Sequence, residues 1–347
     1  METDAFALCG ALVTSGAVTA VQAAVQVGSD EPQHAAFGAA SLGSRFALAS
    51  LTKPLLAVAC LVACDEEALE LDQSIRRVVP AAAADVTLRE LLSHGSGLPP
   101  DDVAARRLQL TDEATWLDVA ARYLAVEPTA PPRQRRTYSN AGYAVAAAVL
   151  EHATGIGHRD YIAEAVLEPI GMASTTLGAA PDAAGVMSVA EPGLLGHDQQ
   201  LFNGARFRTL GLPQSGAYGT AADYLRLLRV VLRGGRLDDG RQLLSPESAL
   251  ELVTNQLGAL PGGVGEFMEW DRCDWGLGFE LRDGKDPHWT GSALSPTAAT
   301  HFGASGTLAV IDPQRDLVAV VLANRGTYSR WMLEPGGWGD ICAALVA

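Results

Sequence analysis

The stretch Arg45–Cys64, RFALASLTKPLLAVACLVAC, places Ser50 three residues before Lys53 at the head of an apolar segment. Pro54 fits only near the start of a helix, because deeper inside it would remove a backbone N–H that the helix needs. The stretch therefore predicts a buried helix over residues 50–68 that begins close to Ser50. Two residues spaced i, i+3 on a helix lie on one face, so Ser50 and Lys53 are expected to be neighbours.

Lysine is rare in this chain. Only two of the 25 basic residues, Lys53 and Lys285, are lysines, and the other 23 (25 − 2) are arginines. A serine hydroxyl is a poor nucleophile until a base removes its proton. Lysine can be that base when burial, a nearby positive charge or the helix dipole lowers its pKa, whereas arginine keeps its proton. The Ser-x-x-Lys pattern thus indicates a nucleophile and its base, although it also occurs by chance on protein surfaces.

The composition is that of a globular protein with a large core. The 347 residues are 48% hydrophobic and 19% charged, which allows one large domain or two interleaved ones. The net charge of −15 argues against a nucleic-acid or anionic-membrane partner. The N-terminus METDAFALCGALVTSG has no basic region, and no apolar run approaches the length of a spanning helix, so a cytoplasmic protein is expected.

The cysteines and histidines do not predict a metal site. Five cysteines at irregular spacing suggest reduced thiols, and Cys60 and Cys64 are interpreted as small buried hydrophobes in preference to half of a metal site. There is no H-E-x-x-H motif, and no cofactor is expected. The absence of G-x-S-x-G argues against an α/β-hydrolase. Five histidines are expected at surface, turn or capping positions: His94, His152, His158, His197 and His288.

The predicted elements are strands at both ends of the chain and helices in the middle. Strands are expected at 17–28, 35–40, 275–282, 298–303, 306–311 and 317–324. Helices are expected after the capping box Thr87-x-x-Glu90, over 113–126, 140–154 and 159–169, from the Thr220 cap to about 233, after Ser245-Pro246, and near 339–346; residues 178–214 look irregular. The simplest architecture is an α/β fold of the α+β type, with an antiparallel sheet built from both termini and flanked by helices. Residues 1–75 and 215–347 would form that domain, residues 76–214 a mainly helical inserted domain, and the active site would lie between them.

Two further patterns carry polar groups suited to catalysis. Tyr138-Ser139-Asn140 precedes a helix; a tyrosinate beside an ammonium group can shuttle protons, and an amide can orient a substrate carbonyl or hold the lysine. The alternative is a tyrosine at a helix entrance with Asn140 as the N-cap. His301-Phe302-Gly303 lies in a predicted strand, where glycine lets a substrate approach and a free strand N–H can stabilise an oxyanion. The alternative there is an ordinary glycine at a strand edge.

Taken together, the three patterns resemble the class C β-lactamase and penicillin-binding-protein-like serine hydrolases, which include family VIII carboxylesterases and D-stereospecific peptidases. Supporting stretches are LRELLSHGSGLP (88–99), YIAEAVLEPIGMASTTLG (161–178), SGAYGTAADYLRLLRVVLRGG (215–235) and WGLGFEL (275–281). The resemblance extends from about residue 15 to residue 325.

The resemblance implies a role for each matching residue. Ser50 resembles the acylated nucleophile, Lys53 its general base, Tyr138 the proton shuttle and Asn140 the substrate-contacting amide. The backbone N–H groups of Ser50 and Ala304 would form the oxyanion hole, next to His301 and Gly303.

The third motif departs from that of the β-lactamases proper. His301 stands where they carry a lysine that contacts the substrate carboxylate, and Phe302 removes a threonine hydroxyl. These departures weaken the case for penicillin hydrolysis and favour esters. The three arginines just before Tyr138 are expected to form a solvated face, or alternatively to attract an anionic substrate. They are Arg133, Arg135 and Arg136.

The expected function is therefore a serine hydrolase that forms a Ser50 acyl-enzyme with a small-molecule ester or other activated acyl substrate. An acyltransferase that passes the acyl group to an amine or alcohol in natural-product biosynthesis is the first alternative. A D-amino-acid peptidase or amidase, a weak β-lactamase and a catalytically silent binding protein are further alternatives. The oligomeric state is left open.

Overall fold

The computed structural model describes residues 4–179, 184–190, 202–265 and 267–347. Its strands are β1 Ala20–Val27, β2 Gln33–Gly38, β3 Phe46–Ala47, β4 Arg136–Thr137, β5 Thr176–Leu177, β6 Ala217–Gly219, β7 Gly262–Val264, β8 Met268–Trp270, β9 Glu280–Leu281, β10 Ala299–Gly303, β11 Thr307–Asp312 and β12 Leu317–Ala323. Its helices are α1 Asp4–Thr14, α2 Thr52–Asp65, α3 Leu88–Leu92, α4 Val103–Gln109, α5 Trp116–Leu124, α6 Asn140–Thr154, α7 His158–Ile162, α8 Ala205–Leu210, α9 Ala221–Leu232, α10 Pro246–Val253 and α11 Trp338–Ala344. A π-helical turn, Ala163–Leu167, continues α7 into a short helix, Glu168–Ile170.

One six-stranded antiparallel sheet joins the two ends of the chain. Its strand order is β2-β1-β12-β11-β10-β9, and β1 pairs with β12 in the register Val21↔Ala323 to Val27↔Leu317. This confirms the predicted sheet built from both termini. β1 and β12 are buried almost throughout because helices cover both faces: Ala20 and Ala24 pack on one side, Val21 and Val25 on the other. Two three-stranded sheets, with the orders β3-β6-β5 and β4-β7-β8, contain the other described strands.

The helix that carries Lys53 starts as the sequence predicts. A 3-10 turn, Ala49–Leu51, holds Ser50 and leads directly into α2, in which Pro54 is the third residue and lies within the first turn. Every residue from Thr52 to Ala63 is buried, so α2 runs through the core. Ala49 has a φ of +48°, a left-handed conformation that is unfavourable for alanine and lies immediately before Ser50.

Several other predicted elements are present, with differences at some boundaries. The Thr87–Glu90 capping box, the Thr220 and Ser245 caps, and a helix over 140–154 that ends at the left-handed Gly155 are all found. Helices α1 and α4 were not predicted, and α8 lies within the segment expected to be irregular. The strand expected over 275–282 is reduced to β9.

Helices α3 to α7 lie between β3 and β6 in the chain, and α6 packs against α2, α3 and α5. The division into domains at residues 75/76 and 214/215 stays a prediction. None of the described helices combines the length and the apolar character that a membrane span requires.

Candidate active site

The side chains of Ser50 and Lys53 meet at the start of α2. Lys53 Nζ lies 3.1 Å from Ser50 Oγ, and it donates hydrogen bonds to Asn140 Oδ1 at 2.8 Å and to the Gln214 carbonyl oxygen at 3.0 Å. The side chain of Lys53 is completely buried. Gln214 was not predicted as a site residue, because its contribution is a backbone carbonyl and no side-chain pattern marks it.

Burial changes the charge state of this lysine. Removal from water lowers the pKa of Lys53 to about 7, an effect that the negative charge of Asp101 partly opposes. A substantial fraction of the amine is therefore neutral near pH 7. The ring of Tyr138 lies 4.8 Å from Nζ, and that of Tyr143 lies 5.6 Å from it.

The Tyr138-Ser139-Asn140 segment brings two of the predicted residues to this lysine. Ser139, and not Asn140, is the N-cap of α6, since its hydroxyl accepts a hydrogen bond from the Gly142 N–H. Asn140 is thereby the first helical residue, and its amide oxygen is free to face Lys53. Burial raises the pKa of Tyr138, and contact with the Ser50 hydroxyl only partly opposes the rise. The neutral phenol is thus the favoured form, in contrast to the tyrosinate considered from the sequence.

His94 belongs to the site and is buried, which differs from the surface, turn or capping position expected from the sequence. It is 1% exposed, its Nδ1 accepts a hydrogen bond from the Ser139 N–H, and its ring centroid lies 4.5 Å from that of Tyr138. Burial, and then the charge of Lys53, holds its pKa well below the usual range, so it is neutral. His94 therefore supports the segment that carries Tyr138. His158 and His288 are also buried, His152 is exposed, and His197 lies outside the described residues.

Strand β10 runs beside the segment that precedes Ser50. A side chain at Gly303 would overlap Thr307 Oγ1 and the Leu48 carbonyl oxygen. Glycine is therefore needed at this position because the protein's own backbone at Leu48 passes close to β10. The hydroxyl group of Thr307 also donates to Leu48 O at 3.1 Å, and that of Ser305 donates to the Ala47 carbonyl oxygen at 2.5 Å. These contacts fix the loop at Ala304 relative to Ser50.

His301 lies on β10 and is almost completely buried. Its Nδ1 lies 2.9 Å from the Phe302 carbonyl oxygen, to which it can donate, and its Nε2 has no hydrogen-bond partner among the described residues. Burial, reinforced by the charge of Lys53, lowers the pKa of His301 to about 3. The imidazole is therefore neutral and offers no positive charge to a substrate carboxylate.

A cavity of about 120 Å³ opens beside the serine. Ser50, Asn140 and Ala304 all line it. Asp101, Arg106 and Gln109 form a polar wall, and Phe202, Phe207 and Tyr328 contribute aromatic surface. The predicted nucleophile, amide and oxyanion-hole loop thus share one small space.

The three arginines before Tyr138 make hydrogen bonds or ion pairs with other residues of the protein. Arg136 is fully buried and donates to the Ser93 carbonyl oxygen and to Asn255 Oδ1, both at 2.8 Å, so neither the solvated face nor the anion-attracting alternative describes it. Arg133 and Arg135 are exposed, and they pair with Glu90 and Glu269, respectively.

The described part of the chain contains no group of three or more His, Cys, Asp or Glu side chains that could hold a metal ion. Cys60 is buried and Cys64 half-buried, both as free thiols.

A six-stranded antiparallel sheet covered by helices, with a half-buried serine that lines a small cavity and contacts a buried lysine, defines the class of serine β-lactamase-like and penicillin-binding-protein-like folds. Comparison with known proteins agrees with this class. A sequence model of the Beta-lactamase family matches residues 7–331, and the chain belongs to that family.

Two relatives and one protein of similar fold can be compared with this chain. Penicillin-binding protein 4 of Amycolatopsis lactamdurans is 30% identical over 318 residues, which cover 85% of this chain and 76% of that protein. The crystal structure of a β-lactamase from Mycobacterium bovis is 31% identical, covers 97% of both chains and superimposes with a TM-score of 0.69. The structure of EstCE1, described as a hydrolase with promiscuous acyltransferase activity, is 20% identical, has a TM-score of 0.75 and covers 99% of this chain and 97% of that one.

Proposed function

We propose that this protein is a serine hydrolase that transfers the acyl group of an ester or other activated acyl compound to Ser50 and then to water. The observation that carries the proposal is the contact between Lys53 Nζ and Ser50 Oγ at 3.1 Å, made by a lysine whose pKa burial lowers to about 7. A base whose pKa lies near the working pH suits proton abstraction.

The hydrogen bonds of Lys53 support this role for its neutral form. A neutral amine has two N–H groups and one lone pair, whereas an ammonium group has three N–H groups and none. The Asn140 amide oxygen and the Gln214 carbonyl oxygen are two fixed acceptors that use the two N–H groups. The lone pair is then left to face the Ser50 hydroxyl.

The proposed reaction has two halves. Lys53 Nζ takes the Ser50 proton while Oγ bonds to the substrate carbonyl carbon, and the N–H groups of Ser50 and Ala304 stabilise the oxyanion. The tetrahedral intermediate breaks its bond to the leaving oxygen, which receives the proton from Lys53 through the neutral Tyr138 hydroxyl. Water then attacks the ester carbonyl of the acyl-enzyme by the same proton path, and the carboxylic acid leaves.

His301 favours uncharged esters over β-lactams as substrates. The substrate carboxylate of a β-lactam needs a cationic partner, and the buried imidazole with a pKa of about 3 does not provide one at neutral pH. The peptidase, amidase and β-lactamase alternatives are accordingly ranked below ester hydrolysis.

Intact-mass analysis with short p-nitrophenyl esters tests the proposal. Wild type should release p-nitrophenol and gain the mass of one acyl group, and Ser50→Ala should do neither. Ser215→Ala is the matched control, because Ser215 lines the same cavity. It should still acquire the acyl group. Acylation that persists in Ser50→Ala would overturn the assignment of the nucleophile, and the absence of turnover and adduct in wild type would favour a binding protein.

Acyl transfer to an alcohol or amine is the second candidate, and the similarity to EstCE1 supports it. Both reactions share the same acyl-enzyme and differ in the acceptor. Addition of candidate alcohols and amines to the ester assay should yield a new ester or amide if transfer occurs, and only the free acid if water is the acceptor.

We also propose a cytoplasmic location, supported by five free thiols. Fractionation of the native host would test it, and recovery outside the cytoplasm would contradict it.

A further inference from the structure

Asp101 joins the polar wall of the cavity to the Asn140 amide. Its Oδ2 accepts a hydrogen bond from Asn140 Nδ2 at 3.2 Å, and its Oδ1 accepts from the Tyr123 hydroxyl at 2.6 Å and from the Asp102 N–H at 2.8 Å. The Tyr123 hydroxyl in turn accepts from Gln109 Nε2 at 3.0 Å. Asp101 is thus held from two sides while it touches the amide that holds Lys53.

The carboxylate determines which way the Asn140 amide faces. An ionised carboxylate only accepts hydrogen bonds, so the NH₂ group of the amide must face Asp101. The amide oxygen is then directed to the opposite side, where Lys53 Nζ donates to it at 2.8 Å. A flipped amide would place its NH₂ group against the lysine, where it would compete for the lone pair that Ser50 needs.

Asp101 also supplies the negative charge near the buried lysine. It raises the pKa of Lys53, against the larger lowering by burial. The other titratable groups that face Lys53 are two phenols and two neutral imidazoles, and burial favours the uncharged form of each: Tyr138, Tyr143, His94 and His301. Arg106 Nε lies 4.0 Å from Asp101 Oδ2, on the cavity side.

We propose that Asp101 is a positioning residue for the Ser50–Lys53 pair, which orients the Asn140 amide oxygen toward Lys53 and balances the charge of that lysine through the amide. This role rests on the proposed function, in which Lys53 is the base. Asp101 acts through Asn140 and need not touch the reacting atoms.

The test compares Asp101→Asn with Asp102→Asn, which makes the same change in charge one residue away. Asp102 is the N-cap of α4 and pairs with Arg122, so asparagine there keeps a capping oxygen, loses the ion pair and leaves Asn140 untouched. For Asp101→Asn, kcat for a p-nitrophenyl ester should fall roughly tenfold to hundredfold with a smaller change in KM, because the charged, acceptor-only partner of Asn140 is replaced by a neutral amide that does not fix its orientation. Asp102→Asn should lower thermal stability and leave the pH profile in place.

The pH profile separates positioning from structural support. Because the negative charge of Asp101 raises the pKa of Lys53, its removal lowers that pKa. The acidic limb of kcat/KM should therefore move to lower pH in Asp101→Asn. An unmoved limb overturns the proposal whatever happens to kcat, as does an equal shift in Asp102→Asn.

A second variant and the wild type distinguish three outcomes: misfolding of Asp101→Asn, failure of the proposed function, and failure of the role of Asp101. If Asp101→Asn does not fold, Asp101→Ser removes the same charge with a smaller side chain, and the same shift is required of it. If wild type forms no Ser50 adduct, the proposed function fails. If the adduct forms and neither variant moves the limb, only the role of Asp101 fails.

Discussion

Acidification is the perturbation that tests Lys53 most quantitatively. With a pKa of about 7, roughly nine-tenths of the amine is neutral at pH 8, about one-tenth at pH 6 and about one-hundredth at pH 5. If the neutral amine is the base, kcat/KM for a p-nitrophenyl ester should fall about tenfold from pH 8 to pH 6 and about tenfold more to pH 5. The two site histidines do not explain such a limb, because burial lowers the pKa of His301 to about 3 and holds that of His94 far below its usual range.

The assay is ester hydrolysis followed at the isosbestic wavelength of p-nitrophenol, with thermal melts at each pH to show that the protein stays folded. Lys53→Arg is the matched variant, since an arginine keeps both its positive charge and its proton over the whole range. It should be inactive at every pH. An acidic limb near pH 4, the range of a carboxylate, or a limb near pH 10, the range of an exposed lysine, would refute the reasoning, as would an active Lys53→Arg enzyme.

Three further outcomes are expected. Gly303→Ala should lose about 1–3 kcal/mol of unfolding free energy in denaturant titrations, because its methyl group would overlap the backbone of the neighbouring loop. Gly284→Ala, with open space around it, should lose little, and equal losses would contradict the close approach. Lys285→Met should cost about 3–5 kcal/mol because it leaves the Glu280 carboxylate buried without its 2.7 Å partner, and the double variant with Glu280→Gln should recover part of that loss. Without such recovery, the ion pair would not be the cause. Nitrocefin should be hydrolysed with a kcat/KM at least about a hundredfold below that of the ester, since the neutral His301 offers no charge to its carboxylate; comparable values would contradict this role for His301.

Local chemistry explains what could be predicted from the sequence. Pro54 limits where α2 can begin, the Ser-x-x-Lys spacing places two side chains on one face, and the apolar strand β12 has to be covered on both faces. Each of these signals depends on residues close together in the chain. For the same reason, the strands at both ends and the capping box at Thr87 were recognised.

The features that the sequence does not predict depend on contacts between distant parts of the chain. The carbonyl oxygen of Gln214 accepts a hydrogen bond from Lys53, which is 161 residues away in the chain. The imidazole of His94 accepts a hydrogen bond from the Ser139 N–H, 45 residues further along the chain. Gly303 was interpreted as a place for a substrate, and its actual neighbour is the chain itself at Leu48. The burial of Arg136 likewise follows from acceptors in a loop more than 100 residues later, at Asn255 and Gln256.

The central claim is that Ser50, activated by Lys53, carries the acyl group. The most direct measurement is intact-mass and peptide-level analysis of the protein during turnover of a p-nitrophenyl ester. We predict one acyl group on the peptide that contains Ser50, formed in wild type and absent from Ser50→Ala. An acyl group on any other residue, or an equal adduct in Ser50→Ala, would contradict this account of the site.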